Sequence, residues 1–107
     1  MPNKQSEPAV LFAALGDETR LALVAKLRNG RPSSISELTI GSRVSRQAIT
    51  KHLRVLQKAG MVHSARAGRQ SLFELNPRPI GEMQDYLDQV SKQWDEALER
   101  LKAFVEK

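Results

Sequence analysis

Helix-start and helix-stop signals divide the middle of the chain into two short helices. Ser34 and Glu37 have the spacing of a capping box, in which the serine side chain accepts a backbone hydrogen bond and the glutamate reaches back to the serine backbone. Gly41 ends the first helix, Ser45 caps the second, and Gly60 ends it. Two helices joined by a few residues that include a glycine form a helix-turn-helix. The sequence therefore predicts that arrangement.

The residues ahead of this pair predict two further helices. Pro8–Leu15 reads as a short first helix, because apolar residues recur there at helical spacing behind a proline, and Gly16 ends it. Asp17 has the residue type and position of an N-cap for a second helix, which ends at Gly30. These two helices would pack beside the helix-turn-helix.

The residues that follow predict a β-hairpin and one long helix. Met61–Arg66 and Ser71–Leu75 read as short strands around a cationic tip, the element called a wing. The last helix is predicted from about Ile80 to Phe104. The fold class is mainly α with a small β-hairpin, a winged helix-turn-helix of about five helices. We expect one domain over residues 1–107, made of a first helix pair (8–30), the helix-turn-helix (34–60), the wing (61–76) and a C-terminal dimerisation helix (79–105).

Positive charge is concentrated in the middle of the chain. Residues 38–73 carry seven Lys and Arg side chains and no Asp or Glu, whereas residues 74–107 carry five basic and eight acidic side chains. This segregation suggests a surface that meets a polyanion. A solvated basic face is the alternative, and the local structure of the segment decides between the two.

The side chains of the predicted second helix of the helix-turn-helix sort into two faces. Ile49, Leu53 and Leu56 have the spacing of a face that packs on a core. The other face is polar, basic and free of carboxylates. It consists of Gln47, Thr50, Lys51, Arg54 and Lys58, and Arg46 lies beside it at the amino end. Arg and Gln bond guanine and adenine edges in the major groove, while Thr and Lys suit bases or phosphates. We expect the four residues nearest the amino end to reach base edges, and Arg54 and Lys58 to contact phosphate.

The predicted wing adds Arg66 and Arg69 to this basic surface. Gly68 at its tip tolerates a positive φ, and a cationic hairpin can follow the minor groove or the backbone of a duplex. His52 fits neither face of its helix, so helix packing or phosphate contact is favoured for it over catalysis. His63 is expected to be a surface residue.

The last helix carries a continuous apolar seam. Its residues form two series with a spacing of seven. The first series is Ile80, Leu87, Trp94 and Leu101, and the second is Met83, Val90, Ala97 and Phe104. Because this seam exceeds what the core needs, we predict a homodimer, with the interface formed by Leu11, Phe12, Leu87, Val90, Trp94 and Leu101. Packing of the helix on its own core is the alternative. The second helix of each helix-turn-helix, called the recognition helix, would lie about 34 Å from its counterpart in the dimer, which favours a roughly palindromic target.

The composition argues against several other classes of protein. The chain has no cysteine, which excludes disulfides, thiolate nucleophiles and thiolate metal sites. It has neither a spanning apolar run nor a signal-peptide pattern, so we expect a cytoplasmic protein without membrane association. No nucleophile has suitably spaced histidine and carboxylate partners, and no glycine-rich loop could cradle a phosphate. We expect no enzymatic activity and no cofactor.

Several segments of the chain resemble the ArsR/SmtB family of bacterial winged-helix repressors. The matching segments are Leu15–Val24, Ile35–Leu38, Val44–Val62, Arg66–Arg69 and Leu72–Pro77. The resemblance implies a homodimer, joined by its first and last helices, that binds double-stranded DNA at an inverted-repeat operator and blocks transcription. It also implies that the DNA-facing helix presents Ser45, Arg46, Gln47, Thr50, Lys51, His52 and Arg54.

The sequence departs from the metal-sensing members of this family. Many of them bind metals through a Cys pair before the recognition helix, or through Asp and His on the last helix. Here Ser36–Thr39 occupies the first position, and the last helix has Asp85 and Asp88 but no histidine. Soft transition metals require ligands that this chain lacks, so we predict no metal. An unknown effector or protein partner is left open, and the alternative function is a winged-helix module that binds protein without specific DNA binding.

Overall fold

The computed structural model describes residues 7–106. Within this range the elements are the helices α1 (Pro8–Leu15), α2 (Glu18–Lys26), α3 (Ile35–Thr39), α4 (Arg46–Lys58) and α5 (Pro77–Val105), and the strands β1 (Ser33–Ser34), β2 (Val62–Ala67) and β3 (Gln70–Leu75). The fold is mainly α with a small antiparallel sheet, and this confirms the predicted winged helix-turn-helix. None of the helices in the described range is both long and apolar enough to cross a membrane.

The starts of α2, α3 and α4 are formed by the predicted caps. The Asp17 carboxylate accepts a hydrogen bond from the backbone N–H of Arg20 at 3.0 Å. Ser34 and Glu37 exchange both bonds of the capping box, at 3.2 and 3.0 Å. The Ser45 hydroxyl accepts from the backbone N–H three residues further along the chain. These bonds satisfy amide groups that have no partner inside a helix, and they fix where each helix begins.

The wing belongs to a three-stranded antiparallel sheet in the order β1-β3-β2. β2 and β3 pair along their whole length, so the turn consists of Gly68 and Arg69 alone and is two residues shorter than predicted. Gly68 has a φ of +65° while Arg69 does not have a positive φ, as in a type II′ turn. β1 pairs with β3 through Ser33 and Ser34. The prediction missed β1 because two residues are too few to show alternation.

The core lies where the helices meet one another and the inner face of the sheet. The fully buried large side chains are Leu11, Leu23, Leu27, Leu38, Ile49, Leu53, Leu56 and Met61. The predicted inner face of α4 is therefore confirmed. Leu11 was predicted to contact a second chain, and that prediction is wrong, because its side chain has no exposed surface and packs inside its own core. Its neighbour Phe12 is half-buried, and its ring packs against that of Tyr86 on α5 with centroids 5.9 Å apart.

α5 begins on the core and then projects away from it. The backbone N–H and the side-chain amide of Asn76 donate to carbonyl groups at Met61 and Gly60, which fixes the start of the helix against the end of α4. Pro79 and Met83 are buried, whereas most later side chains are exposed. The radius of gyration is 18.1 Å, against about 13 Å for a compact chain of this length. The projecting half of α5 accounts for this excess.

Candidate nucleic-acid interface

The outer face of α4 is open to solvent. Gln47, Lys51, Arg54 and Lys58 are all exposed on the side of the helix opposite its buried leucines. Thr50 is half-buried, and its hydroxyl donates to a backbone carbonyl one turn earlier at 2.9 Å. No carboxylate interrupts this face. The helix thus offers a row of hydrogen-bond donors and positive charges to a negatively charged partner.

Apolar packing and two polar links hold α4 in place. Ile49 and Leu53 are each 1% exposed, which anchors the helix to the core. The Gln57 side-chain amide donates to the Ser64 hydroxyl on β2 at 3.2 Å, and so ties the carboxyl end of α4 to the wing. His52 provides the other link, toward α2. The outer side chains therefore project from a helix that is fixed on two sides.

His52 packs against the start of α2. Its Nδ1 lies 3.3 Å from Nη1 of Arg20 and 3.7 Å from Oδ2 of Asp17. The Arg20 Nε donates to the Ala14 carbonyl at 2.6 Å, which fixes the guanidinium. Of the two roles left open for His52, helix packing describes its position.

The same cluster affects the charge on Asp17. The backbone N–H of Arg20 donates to the Asp17 carboxylate and holds its pKa below the usual value of 3.8, and the charges of His52 and Arg20 act in the same direction. Desolvation opposes this lowering in part. Sequence reasoning assigned only the cap to Asp17 and missed Arg20. The signal was the Asp-x-x-Arg spacing, but the histidine partner lies 32 positions away from Arg20 along the chain.

The wing brings two more arginines to the same region. Arg66 and Arg69 are exposed on the hairpin, as predicted. Arg69 and Arg46 line one shallow groove of about 230 Å³, so the turn of the wing lies beside the first residue of α4. His63 is an exposed residue whose Nε2 lies 2.7 Å from a carboxylate oxygen of Glu74 on the neighbouring strand. The wing and α4 together form one basic surface.

The predicted dimer residues other than Leu11 are at least partly accessible. Leu87, Trp94 and Leu101 are 51–65% exposed along α5, and Val90 and Phe12 are half-buried. Asp85 and Asp88 are both exposed on the same helix. Across residues 7–106, no three Asp, Glu, His or Cys side chains are grouped in a way that could hold a metal ion.

A basic helix fixed on an apolar core, beside a basic hairpin, defines a winged helix-turn-helix DNA-binding protein. Residues 15–65 match the family model described as a helix-turn-helix domain. The chain is 35% identical to the HTH-type transcriptional regulator Rv2034 of Mycobacterium tuberculosis, over 85% of this chain and 81% of that protein. It is 30% identical to the HTH-type transcriptional repressor SmtB of the same species, over 82% of this chain and 63% of that protein.

A solved structure shows the same architecture. The ArsR-like transcriptional regulator from Rhodococcus sp. RHA1 superposes with a TM-score of 0.77 at 36% identity, and the match covers 91% of each chain. The chain belongs to the ArsR/SmtB family of winged helix-turn-helix transcriptional regulators. It is a DNA-binding regulator, and its relatives are transcriptional regulators, a class of protein distinct from enzymes.

Proposed function

We propose that the chain is a homodimeric repressor that binds an inverted-repeat operator with α4 and the wing. The observation that carries this proposal is the exposed, carboxylate-free outer face of α4 beside a basic hairpin. Repression is supported by the resemblance to the SmtB repressor. The chain works as one unit over residues 1–107 and acts in the cytoplasm, where a bacterial operator is found.

The proposed contacts divide by position on the basic surface. Gln47, Thr50 and Lys51 read base edges, because they lie in the amino-terminal half of a helix whose opposite face is anchored. Arg54 and Lys58, further along the helix, contact phosphate. Ser45 and Arg46 belong to the same end of the interface, whereas His52 acts by holding α4 against α2. Arg66 and Arg69 contact the duplex beside the groove that α4 enters.

The proposed dimer is supported by the apolar face of α5. Large apolar side chains continue along the projecting half of the helix as far as Phe104, which is 75% exposed. A contiguous patch of this kind is unusual on a monomeric protein and marks an interface. A second copy would cover Leu87, Val90, Trp94 and Leu101, and Phe12 would join them where α1 meets α5. Two-fold symmetry then presents two copies of α4 to two half-sites.

A DNA titration tests the regulatory function. The purified chain is titrated with the DNA upstream of its own gene and with a scrambled duplex, at several salt concentrations. We expect a preference for the upstream DNA and a steep loss of affinity with salt, because phosphate contacts release counterions. Negligible binding that does not change with salt would contradict the proposal and favour a module that binds protein.

Sedimentation at micromolar concentration tests the dimer separately. A homodimer has twice the 12.0 kDa mass of the chain. A single species of monomer mass at concentrations that saturate the DNA would contradict the dimer and leave the DNA-binding function in place.

A further inference from the structure

One groove brings together residues from three elements of the fold. Ser36 of α3, Arg46 at the start of α4, and Arg69 and Ser71 of the wing all line a shallow groove of about 230 Å³. The Nη1 atom of Arg46 donates to the Ser36 hydroxyl at 3.1 Å. This bond turns the Arg46 side chain back toward α3 and the wing. The groove therefore joins the helix-turn-helix to the hairpin turn.

The charge inside this groove is not balanced by the protein. Its lining contains two guanidinium groups together with serine hydroxyls and a glutamine amide, but no carboxylate. Within residues 7–106, the carboxylates that lie within 4.0 Å of a basic nitrogen contact His52, His63 and Arg78, and none contacts Arg46 or Arg69. Two like charges that share a groove repel each other unless an anion lies between them. The arrangement thus favours an anionic occupant.

We propose that this groove is a phosphate clamp in which Arg46 and Arg69 bind the same phosphodiester group of the DNA backbone. The inference rests on the proposed function, because it assumes that a duplex lies on the basic surface. A guanidinium group has the planar, two-pronged geometry that fits phosphate oxygens, and the serine hydroxyls beside it are additional donors. One phosphate held in this way fixes the wing relative to α4.

The clamp changes the role expected for Arg46. From its place at the amino end of the recognition helix, Arg46 was expected to read a base edge. Its hydrogen bond to Ser36 and its place beside Arg69 direct it to the backbone instead. Base reading is then left to Gln47, Thr50 and Lys51. Loss of Arg46 should weaken binding to every sequence by the same factor.

Phosphate replacement tests the clamp directly. A duplex selected by the purified wild-type protein is prepared with an uncharged methylphosphonate at each backbone position in turn. In wild type, we expect one position in each half-site to weaken binding about tenfold, as for the loss of a charge-assisted hydrogen bond. Arg46→Ala and Arg69→Ala should each make the protein insensitive to replacement at that same position. The two substitutions together should weaken binding little more than either alone, since both remove one shared contact.

Salt dependence and a matched control complete the test. Each single substitution should reduce the slope of log K against log salt by about 0.9 per half-site, without changing the preference for the selected duplex over a scrambled one. Arg78→Ala is the control, because Arg78 is an exposed arginine at the start of α5, outside the groove. It should leave the methylphosphonate profile unchanged.

The possible failures of the clamp and of the proposed function differ. If wild type selects no duplex and binds DNA with no preference, the proposed function fails. The clamp alone is overturned if wild type binds as proposed but the effects of Arg46→Ala and Arg69→Ala multiply, or map to different phosphates. It is also overturned if Arg46→Ala alters the base preference. Because Arg69 lies in an exposed turn, the Arg69 variant tests the clamp even if the Arg46 variant does not fold.

Discussion

At the scale of single residues, Asp17 has two roles, one toward a residue close to it in sequence and one toward a residue far along the chain. It caps α2 through a backbone N–H three residues away, which sequence spacing can predict. It also lies 3.7 Å from the ring of His52 on the recognition helix, a neighbour set by tertiary packing. Arg20 joins this cluster, since its Nε donates to the Ala14 carbonyl and its Nη1 lies 3.3 Å from Nδ1 of His52. The cluster thus fixes the recognition helix to the start of α2.

The lowered pKa of Asp17 predicts a pH-dependent stability. Because the folded pKa lies below the unfolded value, the charge stabilises the fold above about pH 4, and this contribution is lost as the pH falls through the folded pKa. Asp17→Asn keeps a capping oxygen but removes the charge. We expect its melting temperature to lie below that of wild type at pH 7, and the difference to disappear once the pH falls below the folded pKa of Asp17.

An exposed carboxylate on another helix provides the control for this prediction. Asp95→Asn removes an exposed carboxylate from the projecting part of α5 and should have little effect on the melting temperature at any pH. A deficit in Asp17→Asn that is the same at pH 7 and at low pH would show that the charge of Asp17 does not stabilise the fold.

At the scale of elements, the starts of α2, α3 and α4 were predictable, whereas α2 ends at Lys26 instead of at the predicted Gly30, and the sheet was only partly predictable. Caps act within four residues, so Ser34, Glu37 and Ser45 fix α3 and α4 from local sequence alone. The pairing of β1 with β3 depends on Phe73, 40 positions from Ser33, and no local pattern reveals it. The basic outer face of α4 was predictable, because helical periodicity places its residues on one side of the helix. The groove that joins Arg46 to Arg69 depends on how the wing folds back, and for that reason the sequence did not show it.

The capping box should be critical for α3, because this helix has only five residues. Ser34 is 5% exposed, and its hydroxyl accepts from the backbone N–H of Glu37 at the start of that helix. Ser34→Ala should lower the free energy of unfolding by about 1 kcal/mol, measured by urea denaturation. Glu37→Gln, whose amide oxygen can still accept from the Ser34 backbone, should have a smaller effect. Equal stability of Ser34→Ala and wild type would contradict this role for the cap.

At the scale of the whole molecule, α5 determines the shape of the chain. The longest dimension is 68 Å and the shortest is 21 Å, because the projecting half of the helix has no partner among the described residues 7–106. The sequence predicted the heptad spacing of its apolar residues. It could not predict which of them are buried, since burial depends on where α5 leaves the core. Met83 is the last of these residues that is buried.

Trp94 reports on the proposed dimer, since it is the only tryptophan and is 65% exposed in the single chain. Burial in a dimer should shift its fluorescence to shorter wavelength, and dilution should reverse the shift. Trp94→Glu should yield a folded monomer that binds a two-half-site duplex at least about tenfold more weakly, because the second half-site no longer adds to binding. Gln89→Glu adds the same charge on α5 outside the heptad seam and should remain dimeric. A Trp94→Glu protein that is still dimeric would contradict the interface.

The central claim is that the outer face of α4 reads DNA, and one pair of variants tests it most directly. Gln47→Ala and Lys58→Ala are titrated with the preferred duplex and with a scrambled one at the same salt concentration. Gln47→Ala should cost about 1–3 kcal/mol of binding free energy on the preferred duplex and little on the scrambled one, whereas Lys58→Ala should weaken both equally. If Gln47→Ala leaves the preference between the two duplexes unchanged, α4 does not read the bases in the proposed way.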